Sequence, residues 1–221
     1  MTTQKTAHVA DTTPHQLLLR LAGLVMITSL VFVILGRPPV TQDFFDQSID
    51  EAARLQILLD AADEWDRVNT MWAIAGVMTA VGFVLWAVAI HLGHADPKSK
   101  RLATLGAISA TLGAIAWVSV CVWRAIGPPA DVAAGVSGVP LFAWALLGML
   151  AVGPVGWMLR RAGMRVRGWV VIVIAVLFVP IGTILPATVV FPVALTGLIL
   201  LLTPTRRWES THTITTNDPQ V

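Results

Sequence analysis

Charge is scarce in this chain, at 13% of residues, and cysteine is limited to Cys121. A soluble domain carries about 25% charged residues, so the shortage excludes an ordinary water-facing surface over most of the chain. The solvent that does not reward charge is lipid. A single cysteine excludes an intrachain disulfide and says nothing of redox compartment. Among its apolar neighbours it reads as a small packing residue. A phosphate loop, a zinc-protease His-Glu pattern, paired Cys-x-x-Cys and a nucleophile elbow are all absent from the sequence. The net charge of +2 is too small, and too close to apolar segments, for a nucleic-acid partner.

What is abundant is apolar residue, 56% of the chain, arranged in long blocks. About 20 consecutive apolar residues cross a bilayer, and within lipid each backbone amide must be satisfied inside its own segment, which makes the blocks helices. The alternating polarity of a membrane β-barrel is not visible. The expected fold is all-α, a polytopic bundle of six transmembrane helices at about 17–36, 71–92, 102–123, 139–159, 169–185 and 187–203. Residues 1–16 read as a cytoplasmic tail, and 204–221 as a cytoplasmic disordered tail rich in threonine. The first block is followed by Gly36-Arg37-Pro38-Pro39 rather than by a small-residue cleavage site, so it reads as an uncleaved anchor and not a signal peptide.

The last apolar stretch, 168–203, decides the number of spans. As one helix it would be about 50 Å long, well beyond the ~30 Å hydrocarbon core. Pro180, Pro186 and Pro192 interrupt it, so two short spans turning at Pro186 are expected, with a re-entrant pair or a long kinked helix as alternatives. Six spans place Lys5, Arg20, Lys98, Lys100, Arg101, Arg160, Arg161, Arg165, Arg167, Arg206 and Arg207 on one side. Only Arg37, Arg54, Arg67 and Arg124 fall on the other. By the positive-inside rule the first side, with both termini, is cytoplasmic. Trp72, Trp123 and Trp144 are expected at the outer boundary and Trp157, Trp169 and Trp208 at the inner one, as interface-seeking indoles. Frequent arginine, alanine and valine fit a bacterial chain, and hence its inner membrane.

Segment 37–69 reads as one amphipathic extracytoplasmic helix. Its apolar positions Phe45, Ile49, Ala52, Leu55, Leu59, Ala62 and Trp65 recur at helical spacing, and its outer face is acidic. Within it Asp60, Asp63, Glu64 and Asp66 are candidates for binding a membrane or extracytoplasmic partner, against the simpler reading of a helix that caps the outer mouth of the bundle with a solvated acidic face. His91, His94 and Asp96 are a candidate metal group, but a site needs three or four ligands in a fixed geometry, and an interfacial pair without a ligand is the preferred reading. Gly106, Ala110 and Ala114 form a small-residue stripe, used for packing within the chain or for a homodimer. The cytoplasmic arginines read first as topology determinants, with an anionic-lipid patch or docking surface as the alternative.

No Asp, Glu or Lys lies at the centre of any expected span, which argues against coupled transport or a buried catalytic centre. No cofactor is expected. In layout, LLLRLAGLVMITSLVFVILG, an acidic outer segment, MWAIAGVMTAVGFVLWAVAI and four further spans resemble small six-span bacterial integral membrane proteins of unknown function. The resemblance implies a multi-pass fold and assigns no site residue. The expected function is therefore a non-enzymatic accessory, sensing or assembly subunit. The alternatives are a small permease or channel for an uncharged or lipid-like solute, and an enzyme with an outer-surface carboxylate site.

Overall fold

The computed structural model describes residues 13–36, 39–46, 48–93, 95–135 and 138–203. Among them every regular element is helical: α1 (Pro14–Leu35), α2 (Pro39–Phe44), α3 (Glu51–Asp60), α4 (Ala62–Leu92), α5 (Pro97–Ile126), α6 (Pro129–Ala134), α7 (Gly138–Arg161), α8 (Arg165–Ile184), a 3-10 turn (Pro186–Val189) and α9 (Val190–Leu201). Five of these, α1, α4, α5, α7 and α8, are long and apolar enough to cross a membrane; Pro186–Leu201 is apolar but shorter. The expectations for residues 1–12 and 204–221, Trp208 and His94 fall outside the described residues, while α1 begins at Pro14, inside the expected tail 1–16.

Proline marks helix starts here. It occupies the first position of α1, α2, α5, α6 and the 3-10 turn, where its missing N–H has no helical acceptor to lose. Asp96 caps α5 by accepting from the Lys98 and Ser99 amides at 2.9 and 3.1 Å. The turn from α7 to α8 is a Schellman closure: the Gly163 amide donates to the Arg160 carbonyl and the Met164 amide to the Leu159 carbonyl. Gly163 has φ +80°, a conformation that favours glycine.

Each long helix runs antiparallel to the next. Gly36 lies against Trp72 and Gly82 against Met26; Gly76 lies against Trp117 and Gly106 against both Trp86 and Ala151. Gly182 against Ala145 and Gly156 against Ile172 set α7 against α8. The spatial order is α9, α1, α4, α5, α7, α8, and the consecutive helices α8 and α9 touch each other only sparingly. After Pro186 the chain splays away from α8 and returns to α1. There Gly23 and Gly197 bring two backbones together: a Cβ on Gly23 would stand 2.6 Å from the Gly197 carbonyl oxygen. Close approach through small residues is the favoured contact where lipid supplies no hydrophobic drive between helices.

The core is built on indoles. Trp86, Trp117 and Trp144 are among the largest fully buried side chains. Trp117 and Trp144 stack with centroids 5.8 Å apart, and Trp72 lies 5.9 Å from Trp117. Trp117 Nε1 donates to the Trp72 carbonyl at 2.8 Å, and Trp144 Nε1 to the Pro186 carbonyl at 2.9 Å. Of the indoles expected at the outer boundary, Trp72 and Trp144 are buried and Trp123 is half-buried. The buried indole N–H groups of Trp117 and Trp144 are thus satisfied by carbonyls on neighbouring segments. Trp157 and Trp169, in contrast, are 46% and 50% exposed.

The acidic segment also differs from the single amphipathic helix expected. It divides into α2, α3 and an extension of α4, which begins at Ala62 rather than near Met71. The break before α3 has a local cause. Asp46 accepts from the Ser48 amide, and Asp50 caps α3 by accepting from the Ala53 amide, both at 2.8 Å; these side chains offer the backbone a turn in place of continued helix.

Candidate functional site

The acidic end of the bundle is closed by a folded cap. The apolar residues of α2, α3 and α6 face inward as a small cluster of their own, in which Phe44, Leu58, Trp65, Val132 and Ala133 are buried. Phe44 and Trp65 lie 4.5 Å apart, centroid to centroid. Trp65, on the first turns of α4, donates from Nε1 to the Arg124 carbonyl at the end of α5, at 3.0 Å. The Arg124 side chain is itself buried, with its guanidinium 5.2 Å from the centre of the Phe45 ring. A cation over an aromatic face is favoured most where water is excluded. Sequence reading placed Arg124 near a helix end and gave no sign of this burial, because its partner Phe45 is distant in the chain.

The carboxylates sit on the other face of this cap. Asp43, Asp60, Asp63 and Asp66 are exposed and Glu64 is half-buried. Some are committed to local structure. Asp60 accepts from Gln56 Nε2 at 2.8 Å, and Asp46 is held below the ordinary aspartate range, first by the Ser48 amide and hydroxyl and then by Arg54. Asp63 and Glu64 fall in the first turn of α4, where negative charge complements the helix dipole. Of the four candidate partner-binding residues, Asp63 and Asp66 are three positions apart and share a side of α4, while Glu64 is turned about 100° from Asp63. The arrangement presents negative charge to solvent and does not converge on a reacting centre.

At the opposite end, His91 Nδ1 lies 2.9 Å from the Ala87 carbonyl, so that nitrogen is the donor, and Nε2 faces Thr104 Oγ1 at 3.4 Å. Asp96 is taken up by its capping role and by the Ser99 hydroxyl at 2.7 Å. That hydroxyl is the foremost cause holding its carboxyl below the usual range. Among the described residues no three His, Cys, Asp or Glu side chains gather as a metal site. The stripe of Gly106, Ala110 and Ala114 is buried within the chain, with Gly106 packed between Trp86 of α4 and Ala151 of α7. Pro186 opens the 3-10 turn, whose Val189 is fully buried against Gly148 and Gly182.

The class these features define is an all-helical bundle with five helices long and apolar enough for a multi-pass membrane protein. Comparison with protein-family models, with curated proteins and with solved structures found no match to the chain.

Proposed function

We propose that this is a six-span protein of the bacterial inner membrane with both termini cytoplasmic. It acts without catalysis, as an accessory or assembly subunit that meets a basic extracytoplasmic partner segment through its acidic cap. The observation that carries this reading is the two-faced cap. Its apolar side is locked to the bundle through Trp65 and Arg124, while Asp60, Asp63 and Asp66 remain exposed. A surface held rigid on one side and charged on the other loses little conformational freedom on binding. Complementary charge steers encounter and selects partners. The sixth span is Pro186–Leu201, short but continuous with the antiparallel order through its packing on α1.

The test is site-specific photo-cross-linking from position 63 in the native cells. A discrete protein adduct, lost when Asp60, Asp66 and Glu64 are changed to Asn or Gln while membrane insertion persists, supports the reading. Adducts to lipid alone, or a protein adduct indifferent to those changes, count against it.

A further inference from the structure

We infer that the α7–α8 side of the basic end is a binding site for one anionic phospholipid, with the phosphate held by Arg160, Arg161 and Arg165 and an acyl chain lying in the apolar groove beneath. Trp157, Arg160, Arg161 and Arg165 line a hollow of about 200 Å³. Liquid water occupies about 30 Å³ per molecule, so the hollow accommodates a phosphate group together with water. Arg160 is fixed there without a carboxylate. Its guanidinium stands 4.0 Å from the Trp169 ring centre and 5.2 Å from that of Trp157, and its buried Nε has no hydrogen-bond partner among the described residues. Arg161 approaches Asp96 at 3.7 Å, leaving the cluster with net positive charge.

The apolar half of the site continues along the same helix faces. A groove of about 470 Å³ runs between α5, α7 and α8, with Leu150, Gly153, Ile172 and Val176 among its walls. On α7, Leu150, Gly153, Trp157 and Arg161 follow one another at steps of three, four and four residues, which keeps them on one face. Ile172 and Val176 lead back to Trp169 and Arg165 on α8 in the same way. From Trp157 to Leu146, the far end of the groove, is about 16 Å at 1.5 Å per residue. That is half of the ~30 Å hydrocarbon core, the depth of one leaflet. Arginines, then half-exposed indoles, then an apolar channel one leaflet deep reproduce the order of phosphate, interface and acyl chain in a lipid. Topology alone requires positive charge on this side, but it requires neither a guanidinium clamped between two indoles nor a groove below it. Basic hollows between membrane helices are a known form of anionic headgroup site.

The experiment is native mass spectrometry of the full-length protein in neutral detergent. It is titrated separately with dioleoyl phosphatidylglycerol, dioleoyl phosphatidylcholine and inorganic phosphate. Saturable one-to-one binding of phosphatidylglycerol is expected, well ahead of both controls. The double variant Arg161→Gln/Arg165→Gln, which alters exposed side chains only, should weaken it about thirty-fold, each juxtamembrane charge contributing about a fivefold factor. Gly153→Phe should weaken it too by filling the groove, since a Cβ on Gly153 meets nothing within 4 Å. Equal binding of the two lipids, phosphate alone binding as strongly as phosphatidylglycerol, or unchanged affinity in either variant overturns the site.

Discussion

Trp65 and Arg124, 59 residues apart, are joined by a 3.0 Å hydrogen bond from the indole N–H to the main-chain carbonyl. This bond ties the start of α4 to the end of α5 just beneath the cap. Removing its donor while keeping an aromatic ring leaves a buried carbonyl short of a partner, at a cost of about 1–3 kcal/mol. Trp65→Phe is therefore expected to lower the melting temperature and to speed amide exchange in α3 and α6 without preventing insertion. Exchange rates unchanged from wild type would show that the cap is held by its apolar cluster alone.

The contact of Gly23 with Gly197 makes a contrasting pair with Gly153. A Cβ at Gly23 or Gly197 meets the other glycine's carbonyl oxygen at 2.6 or 2.5 Å, whereas one at Gly153 meets open space. Gly23→Ala and Gly197→Ala are expected to force α1 and α9 apart, with an overpacking cost of about 1–3 kcal/mol. Gly153→Ala should be neutral or slightly stabilising, as helix propensity favours alanine over glycine by about 1 kcal/mol. Thermal denaturation in detergent separates the two groups, and equal melting temperatures for all three variants would remove the proposed close approach.

Asp96 provides a pH signature. Its carboxyl is held below the ordinary value of 3.8 by the Ser99 hydroxyl first, with the Ser99 and Lys98 amides and Arg161 adding to it against desolvation. Because the folded value is the lower one, the capping contribution is fully present above the unfolded value and is lost as pH falls through the folded one. Asp96→Ala should cost about 1 kcal/mol near neutral pH. The gap between Asp96→Asn and wild type should close as pH falls below the ordinary value of 3.8 and through the lower folded one, since asparagine keeps a capping oxygen but has no proton to take up. Melting curves across that range decide it.

The proposed topology has a direct readout. A phosphatase that matures only outside the cytoplasm should be active when fused after Asp131, and inactive after Lys98 or after Val221. Activity at Val221 would mean that Pro186–Leu201 does not cross, reducing the protein to the five long spans.

The sequence by itself determined that this chain is helical and where its long apolar helices lie, because the length of an apolar run and the position of proline act locally. Pro14, Pro97 and Pro186 open their helices or turn for reasons that need no neighbour. The acidic and basic ends were legible for the same reason, charge being excluded from the apolar runs. The pattern could not reveal how the acidic segment is divided and tied to the bundle, since the inward turn of Trp65 depends on a carbonyl far away in the chain. Nor could it separate Trp72 and Trp144, which are buried, from Trp157 and Trp169, which are not. An indole suits either a helix contact or a membrane boundary, and only the neighbouring helix settles which. The same holds for Arg160: Trp157 one turn earlier was visible, but the second ring, Trp169, reaches it only because Gly163 reverses the chain and lays α8 back along α7. Tertiary packing decided these points, because each rests on two residues that the sequence keeps apart and the fold brings within a few ångströms.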